Sequence, residues 1–484
     1  MVTRKIANRK PTHKHLQSTW SVRLALAGLS LSMLLSTLGT SIVNVALPTL
    51  ENRFNVSFQE AQWLVIAYLL SITALVVGVG RLGDLTNHRR MLLIGILIFT
   101  AASVVSGLAV NFWLLIIGRA VQGIGAAILM ALTMALIGEI VSPERTGSAM
   151  GLLITMSAIG TALGPPLGGI LIEALSWRFI FLINLPLGVL TFFLAIRYLP
   201  SDQQEKKVNQ ASIDYWGTSL LILALIAFTL SMTLGRGNFG LFNLMLLFSA
   251  FFGVGLFILV ENRVKSPLIQ LEMFRNIGFS ANLAMNLLVN AVLMATLVVG
   301  PFYLSVSLGL TVAQTGFAMA VGPFVAAITS IPAGRLVDRL GSHRIIFIGL
   351  FEIIVGSMLL SRLPISLGVP GYLVSLGIMT MGYATFLAAN NTAVMKNVLP
   401  QQRGVVSGML NLSRNLGLLT GASAMGAIFA LATGTNEITM ASPEMVSTGM
   451  QLTFAVAAVL TIVATGLGIG SLAIVTRHRV RNAS

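Results

Sequence analysis

The sequence Gly80-Arg81-Leu82-Gly83-Asp84, which continues to Arg90, recurs as Gly334-Arg335-Leu336-Val337-Asp338, which continues to Arg344. Every matched position is separated by 254 residues. Both copies lie in short basic stretches between long apolar runs. A duplication of this kind indicates that the chain is built from two related halves, each with the same order of elements.

The apolar runs around these two loops are long enough to cross a membrane. Hydrophobic residues make up 56% of the 484 residues and charged residues 9%, whereas a soluble globular chain carries about 25% charged residues. A membrane-spanning helix needs roughly 20 mainly apolar residues. Fourteen spans are predicted, at residues 24–48, 61–80, 91–109, 112–137, 147–172, 179–198, 215–234, 240–260, 279–307, 313–333, 345–361, 367–394, 404–432 and 449–475. The composition excludes a soluble fold and predicts an all-α polytopic membrane protein.

The repeated loop divides the fourteen spans into two bundles. Its first copy joins spans 2 and 3 and its second copy joins spans 10 and 11, so spans 7 and 8 are extra helices between two six-helix bundles. The predicted organisation is a basic cytoplasmic N-tail at 1–23, an N-terminal six-helix bundle at 24–198, two extra spans with flanking loops at 199–278, a C-terminal six-helix bundle at 279–475 and a cytoplasmic C-tail at 476–484.

Basic residues are distributed unevenly between the loops. With the N-tail inside, the inner segments hold 24 of the 30 Lys and Arg residues and the outer loops hold four. Positively charged loops stay in the cytoplasm, so both termini are expected to be cytoplasmic. The net charge of +15 arises from these loops, not from the water-facing basic patch that a nucleic-acid partner needs. The first apolar run is too long for a signal peptide, and a retained first span is expected.

Several kinds of chemistry are excluded by what the sequence lacks. It contains no cysteine, which rules out disulfides, thiol nucleophiles and cysteine metal sites. The five histidines fall in tails or inner loops, and none forms a metal-ligand pair with helical spacing. No glycine-rich phosphate loop precedes a Lys-Ser or Lys-Thr pair, so ATP hydrolysis is not expected. We therefore expect neither enzyme activity nor a cofactor or metal.

Four stretches follow one another in a fixed order along the first half. They are Gly80-x-Leu82-x-Asp84 with Arg89 and Arg90 after span 2, Arg119 with Gln122, Gly123 and Gly125 in span 4, Gly160 with Gly164-Pro165-Pro166-Leu167-Gly168-Gly169 in span 5, and Trp177-Arg178-Phe179-Ile180-Phe181-Leu182-Ile183-Asn184-Leu185-Pro186 at the start of span 6. Together they resemble the signatures of the major facilitator superfamily, specifically its fourteen-span drug:proton antiporter branch. The duplicated loop extends the resemblance into the second half.

The resemblance implies mechanical roles for two of these motifs. The repeated loops would form a conformational latch that holds one access state, and its residues are Gly80, Asp84, Arg89, Arg90, Gly334, Asp338 and Arg344. Loop carboxylates can pair with guanidinium groups or cap a helix N-terminus, and the alternative is a pair of solvated loop charges. In span 5, two prolines remove backbone donors and glycines admit a neighbouring helix closely. The residues of this helix-packing motif are Gly160, Gly164, Pro165, Gly168 and Gly169.

Span 1 departs from the family pattern at Gly39. The family usually carries an acidic residue there, before a stretch like the one from Ile42 to Pro48. That carboxylate is associated with proton or cation handling. Its absence leaves open both the coupling route and any preference for cationic drugs.

Three charged residues within the spans are candidates for coupling or for the transport pathway. Arg119 lies about seven residues inside span 4, roughly 10 Å deep, and an intramembrane charge usually faces a cavity or a partner. Its partner is expected to be backbone carbonyls, a polar side chain or substrate, and a pathway role is favoured over a structural one. Glu352 in span 11 is the only acid at the centre of a span and is a candidate protonatable group. Arg414 in span 13 is its expected partner, with a structural pair or a protonated Glu352 between helices as the alternatives.

Five amide side chains are further candidates for the pathway. Asn282, Asn286 and Asn290 in span 9 are spaced four apart, which places them on one face of the helix. Asn390 in span 12 and Asn44 in span 1 add to the polar set. Pathway lining is favoured slightly over hydrogen bonding between helices, the alternative for polar groups in lipid.

The repeat and the resemblance imply a secondary active transporter that alternates access around a central site. The expected activity is proton-driven export of hydrophobic or amphipathic small molecules across a bacterial cytoplasmic membrane. An uncoupled metabolite or nutrient facilitator, to which Gly39 lends weight, and a non-transporting membrane sensor are the alternatives. The expected partners are the lipid bilayer and a small-molecule substrate, without nucleic acid, and the protein is expected to be monomeric.

Overall fold

The computed structural model describes residues 19–85, 87–141, 146–200, 215–234, 240–264, 271–395, 403–435 and 437–483. Within these residues the chain is helical and no strand is found. Thirteen helical segments there are long and apolar enough to cross a membrane, and a shorter apolar helix, Trp216–Met232, lies at predicted span 7. The predicted all-α polytopic fold is confirmed.

The helices follow the order of the predicted spans. In spans 1 to 14 the main helices are Thr19–Ser41, Phe58–Leu85, His88–Gly107, Phe112–Ile140, Thr146–Ala174, Asn184–Tyr198, Tyr215–Thr233, Leu241–Glu261, Ile277–Phe302, Val312–Leu340, Ser342–Ser361, Gly368–Met395, Arg403–Thr420 and Pro443–Ala483. Several are longer than the roughly 20 residues that a span needs, because they continue beyond the apolar run into the loops.

Four spans contain an irregular segment or a second helix. Span 1 continues through the 3₁₀ turn Asn44–Ala46 into Leu47–Phe54, span 6 begins with Phe179–Leu182, span 9 ends in the π-helical segment Tyr303–Ser307, and span 13 passes through the π-helical segment Gly421–Met425 into Gly426–Thr433. The two longest predicted spans, 9 and 13, therefore each cross once. Single-turn π-helical segments are frequent at functional sites.

The two copies of the repeated loop turn differently. Asn87 begins the helix of span 3 in an extended conformation (φ −114°), and its side chain accepts a hydrogen bond from the Arg90 backbone N–H at 2.8 Å. The matching residue, Gly341, has φ +84°, in the left-handed region that glycine adopts without steric cost. The two copies of the loop therefore share charged residues but differ in backbone conformation.

The two extra helices lie at the edge of the bundle. Spans 7 and 8 pack against each other, and span 7 also contacts span 2 and the π-helical segment of span 13. Large side chains of span 8, among them Phe248 and Phe251, are exposed. Because apolar exposure of this extent is unfavourable in water, this surface is suited to lipid.

The two halves meet through two pairs of helices. Span 5 packs against span 10, and span 2 packs against span 13. By the sequence repeat, spans 2 and 5 of the first half correspond to spans 10 and 13 of the second. In each pair, a helix of one half therefore packs against the helix that corresponds to its partner's counterpart in the other half: span 2 with the counterpart of span 5, and span 5 with the counterpart of span 2. Transporters built from structural repeats show this arrangement.

Candidate functional site

A cavity of about 230 Å³ lies midway along the bundle between the two halves. Span 5 supplies one wall, and spans 9, 10, 12 and 13 of the second half supply the others. The lining residues on which the site depends are Thr161, Thr296, Met319, Tyr372, Tyr383 and Arg414. The remaining lining is mostly aliphatic, which is typical of ligand cavities with a small number of orienting polar groups.

Arg414 is the one charged residue among the described residues that line the cavity. The residue is half-buried, and its Nε atom is buried without a hydrogen-bond partner. Arg414 lies near the middle of span 13, on the helix Arg403–Thr420. The predicted pathway role of Arg414 is thus consistent with its position.

The predicted pair between Glu352 and Arg414 is not formed. The Glu352 carboxyl group instead contacts the Thr385 hydroxyl group of span 12, and its Oε2 atom is buried without a hydrogen-bond partner. A Cβ atom built at Gly382 would lie 2.7 Å from the Glu352 Cβ atom. Span 11 is therefore packed tightly against the outer side of span 12, and the cavity lies on the other side. Glu352 is not among the residues that line it.

Arg119 is held by groups of the first half and lies away from the cavity. It is 0% exposed, its Nε donates to the Leu64 carbonyl at 2.8 Å and its Nη1 donates to the Gln122 Oε1 at 2.6 Å. The guanidinium carbon lies 4.0 Å from the centre of the Tyr68 ring. Two of the predicted partners, a backbone carbonyl and a polar side chain, are confirmed. The arrangement favours the structural role, so the preference for a pathway role is not supported.

The asparagines of span 9 join helices behind the cavity wall. Asn286 donates to the Leu410 carbonyl of span 13 at 3.1 Å, and Asn290 donates to the Asn286 carbonyl at 2.7 Å. The Tyr383 hydroxyl donates to the Asn290 Oδ1 at 3.1 Å. Asn286 and Asn290 are buried, so hydrogen bonding between helices describes them better than pathway lining. Their link to the cavity is indirect, because Asn290 accepts the hydrogen bond that fixes the ring of Tyr383.

The other predicted asparagines also lie outside the cavity lining. Asn282 is half-buried. Asn44 is buried at the break in span 1 and donates to the Thr40 carbonyl at 3.0 Å. Asn390 is 0% exposed, and neither of its amide atoms has a hydrogen-bond partner. Their assignment to the pathway is not supported by this conformation.

The glycines of span 5 allow close contact with two different helices. Cβ atoms built at Gly160, Gly164 and Gly168 would overlap Thr37, Ser41 and Val45 of span 1, respectively. A Cβ atom built at Gly169 would lie 2.6 Å from the Val312 carbonyl oxygen and 2.8 Å from the Ala313 Cα of span 10. Gly316 of span 10 reciprocates by packing on the Pro165 carbonyl. These close approaches are those that the predicted packing role requires, and they extend to the contact between the halves.

The contacts of Gly169 and Gly316 lie at one end of the bundle, which also carries residues 51–58, 434–435 and 437–443 and which we call the closed end. Phe58 of span 2 packs edge-on against Phe302 and Phe429 of the second half, at 4.9 and 5.3 Å between ring centres. In span 10, burial is concentrated between Thr315 and Gly322, and beyond them only Ala333 and Val337 are buried. The halves thus pack closely at this end and less closely toward the other.

Polar groups also link the halves at the closed end. Glu51, 2% exposed, accepts hydrogen bonds through Oε1 from the Thr439 backbone N–H at 3.2 Å and hydroxyl group at 3.4 Å. Glu173 accepts from the Ala313 backbone N–H at 3.0 Å, and Gln62 donates to the Ala422 carbonyl at 3.2 Å. No local pattern in the sequence marks Glu51, because its partner is 388 residues away and neither residue belongs to a recognisable motif.

The second copy of the repeated loop is described more fully than the first. The Asp84 side chain and the surroundings of Gly80 lie outside what the structure describes, whereas Arg89 donates to the Ile196 carbonyl of span 6 and Arg90 is exposed. In the second copy, Asp338 and Arg344 are exposed, and no ion pair is found for either among the described residues. The exposure of these two charges fits the solvated alternative, and the latch at the second copy stays a prediction.

Related halves and a central cavity, together with thirteen membrane-length apolar helices and one shorter apolar helix in the described part of the chain, are typical of a polytopic membrane transporter. The chain belongs to the Major Facilitator Superfamily, whose sequence model matches residues 29–422 and 290–482. It is 30% identical over 410 residues to the riboflavin transporter RibZ of Clostridioides difficile, covering 83% of this chain and 86% of that protein. It is 31% identical over 420 residues to the multidrug resistance protein Stp of Mycobacterium tuberculosis, covering 85% of this chain and 76% of Stp.

The fold is also similar to solved transporter structures. A bacterial homologue of the human lysosomal transporter Spinster, in an inward-facing and unoccupied conformation, matches with a TM-score of 0.68 and 16% identity, over 94% of this chain and 97% of that one. The xylose transporter XylE of E. coli, in a partially occluded inward-open conformation, matches with a TM-score of 0.61 and 12% identity, over 92% and 96%. These matches support the arrangement of the helices.

Replacing Glu51 with alanine is expected to open the closed end more often. The change removes an acceptor from two donors of Thr439, each worth about 0.5 to 1.5 kcal/mol, so the open population should rise about tenfold. Because the chain has no cysteine, Thr315→Cys supplies a single thiol at a buried position of this end. Its rate of labelling by a membrane-impermeant maleimide measures opening. Glu444→Ala, at an exposed residue of the same end, is the matched control, and equal rates in the two variants would exclude a closing role for Glu51.

Proposed function

We propose that this member of the superfamily is a secondary active transporter that exports hydrophobic or amphipathic small molecules and is driven by protons. The observation that carries the proposal is the largely apolar cavity between two halves that pack closely at one end. A rocking motion that exchanges the closed and open ends would give this cavity access to each side of the membrane in turn. Relatives named as multidrug resistance proteins support export, and a relative named as a riboflavin transporter supports an aromatic substrate.

The direction of access follows from the expected topology. The closed end carries the loops with few basic residues, and these are expected to face outward. The described conformation would then be open toward the cytoplasm, where an exporter takes up its substrate. Localisation in a bacterial cytoplasmic membrane with both termini inside belongs to this proposal.

Transport in cells tests the proposal. The protein is expressed in a bacterial host that lacks its own efflux pumps, and the accumulation of a panel of anionic, neutral and cationic amphiphiles is measured. We expect lower accumulation of at least one compound and recovery when a protonophore dissipates the proton gradient. Unchanged accumulation of every compound would favour the non-transporting sensor.

An uncoupled facilitator remains a second candidate because of Gly39. A Cβ atom built there would lie 3.0 Å from the Tyr68 hydroxyl oxygen and 3.2 Å from the Phe99 Cζ atom. The place of the family's span-1 carboxylate is therefore filled by aromatic side chains. A facilitator would lower the concentration gradient of its substrate at the same rate with and without the protonophore.

Asp84→Asn is expected to reduce transport about tenfold or more while membrane abundance stays the same. The resemblance implies that this loop carboxylate holds one access state, and losing a hydrogen bond to a charged group costs about 1.5 to 3 kcal/mol. Efflux rate and immunoblot of the membrane fraction are the two measurements. Asp338→Asn is the matched variant in the second copy, where no ion pair is found among the described residues, and it should have the smaller effect. Unchanged flux in Asp84→Asn would remove the latch assignment.

The topology is tested by a reporter fused after Arg481. Alkaline phosphatase folds into an active enzyme only outside the cytoplasm, so the fusion is expected to be inactive while a fusion in the loop after span 13 is active. High phosphatase activity after Arg481 would contradict a cytoplasmic C-tail and an even number of spans.

A further inference from the structure

We infer that the substrates of the central cavity carry an anionic group that binds the Arg414 guanidinium, with an apolar or aromatic body in the rest of the cavity. This inference rests on the proposed transport function and assigns it a substrate class. The shared chemistry is an oxyanion, such as a carboxylate, sulfonate or phosphate.

Arg414 has hydrogen-bonding capacity that the protein does not use. A guanidinium group carries five N–H donors, and a charge within a membrane protein normally pairs with a second charge or with carbonyl groups. The buried Nε of Arg414 has no hydrogen-bond partner, and no ion pair involving Arg414 is found among the described residues. The Glu352 carboxyl group, which the sequence offers as a partner, is directed to Thr385 instead. The described residues thus supply no counter-charge for Arg414, and a bound ligand can supply one.

Arg119, the other arginine within a span, is enclosed by groups of the first half, although its Nη2 atom is also buried without a hydrogen-bond partner. It is fully buried and contacts a carbonyl oxygen, an amide oxygen and the face of Tyr68. It does not line the cavity. Arg119 is therefore enclosed away from the cavity, whereas Arg414 lines the cavity and is the arginine that a substrate there can reach.

The charge in the cavity also discriminates against other substrates. Among the described lining residues there is no carboxylate, so a cation would meet the Arg414 charge without a compensating group. In a site of low dielectric constant this repulsion is considerably stronger than in water. Cations should therefore bind more weakly than neutral compounds, and neutral compounds more weakly than anions.

The rest of the lining fits the body of an amphiphile. Tyr383 presents a ring that is fixed through its hydroxyl group by Asn290, and Tyr372, Met319 and Leu376 add apolar surface. Aromatic rings in this setting stack on flat ligands. The polar groups near them are hydroxyl groups, which orient a ligand without adding charge.

Binding of three matched probes tests the inference. Naphthalene-2-sulfonate, naphthalene-2-sulfonamide and 2-naphthyltrimethylammonium share one ring system and are anionic, neutral and cationic at neutral pH. Radiolabelled probes are equilibrated with the full-length protein in phosphatidylcholine nanodiscs, against empty nanodiscs, without an ion gradient. We expect the sulfonate to bind about tenfold more tightly than the sulfonamide, and the ammonium compound to bind most weakly.

Two variants assign the preference to Arg414. Arg414→Gln should lower sulfonate affinity about tenfold and leave sulfonamide affinity unchanged, whereas Arg414→Lys should retain most of the preference. Arg362→Gln removes the same charge at an exposed residue outside the cavity and serves as the control. If Arg414→Gln does not fold, the wild-type probe series and Arg414→Lys decide the outcome.

Equal or tighter binding of the ammonium compound by the wild type would overturn the inference, as would an unchanged preference in a folded Arg414→Gln variant. Binding without a gradient is independent of coupling and direction. A protein that shows the anion preference but no efflux contradicts only the proposed export, and one that exports cations contradicts only the anion preference.

Discussion

Replacing Gly169 with valine is expected to abolish transport without removing the protein from the membrane. Gly169 packs on the backbone of span 10, and a single added Cβ atom would already lie 2.6 Å from the Val312 carbonyl oxygen. Because backbone atoms cannot rotate away as side chains do, spans 5 and 10 would have to separate at the closed end. Overpacking of this kind costs about 1 to 3 kcal/mol for small additions, and a valine adds two further methyl groups.

The strain falls on one access state and not on the other. In the proposed state that opens this end, spans 5 and 10 would move apart and the valine would have room. The variant should therefore accumulate with its closed end open, where the single thiol at Thr315→Cys is labelled about tenfold faster or more. Efflux should fall to the level of cells without the protein.

Gly255 in span 8 provides the control for Gly169. A Cβ atom built there has no neighbour within 4 Å, so Gly255→Val adds the same group to a membrane helix without a clash. Gly169→Ala is a milder variant and should give an intermediate labelling rate. Normal efflux in Gly169→Val would show that contact between spans 5 and 10 is not required by the transport cycle.

The second large effect is expected from Glu352→Gln, which should abolish substrate accumulation driven by a pH gradient and retain substrate exchange. Glu352 lies halfway along span 11, and its Oε2 atom is buried without a hydrogen-bond partner. Its contact with Thr385 places it against span 12, next to Ala384 of the cavity wall. A carboxyl group at this position can gain or lose a proton and alter the packing of that wall.

Exchange and accumulation separate the role in coupling from a role in folding. Exchange needs alternating access without net proton movement, so a folded but uncoupled protein performs it at a normal rate. Both activities are measured in proteoliposomes, with Glu444→Gln as an exposed control. Full gradient-driven accumulation in Glu352→Gln would assign coupling to another group, such as Glu173 at the closed end, or would favour the facilitator.

The sequence predicts the helices well because each span must supply its own apolar length and its own backbone hydrogen bonds. The span-5 glycines are predictable for a similar reason, since a side chain at Gly164 or Gly168 has no space beside span 1. These are local requirements. They leave a pattern in neighbouring residues that can be recognised without knowing the partner.

The site is harder to predict because its contacts join distant parts of the chain. The pairing of Glu352 with Arg414 follows from charge alone, but span 11 lies outside span 12 and the side chains do not meet. The spacing of the asparagines in span 9 places their side chains on one face of the helix. That face contacts span 13 through Asn286 instead of lining the pathway. Glu51 and Thr439 meet only because the loop after span 13 returns to the end of span 1, which no local pattern records.

The central claim, that proton movement drives a substrate through this cavity, is tested most directly with purified protein in proteoliposomes. The vesicles contain an acidic buffer and a trapped pH indicator and are placed in neutral buffer, and each of the three naphthalene probes is then added outside. Because protons leave as substrate enters, we predict that at least one probe accumulates above its outside concentration while the interior becomes more alkaline. Entry that stops at equal concentrations, with no change of internal pH relative to protein-free vesicles, would contradict proton-coupled transport.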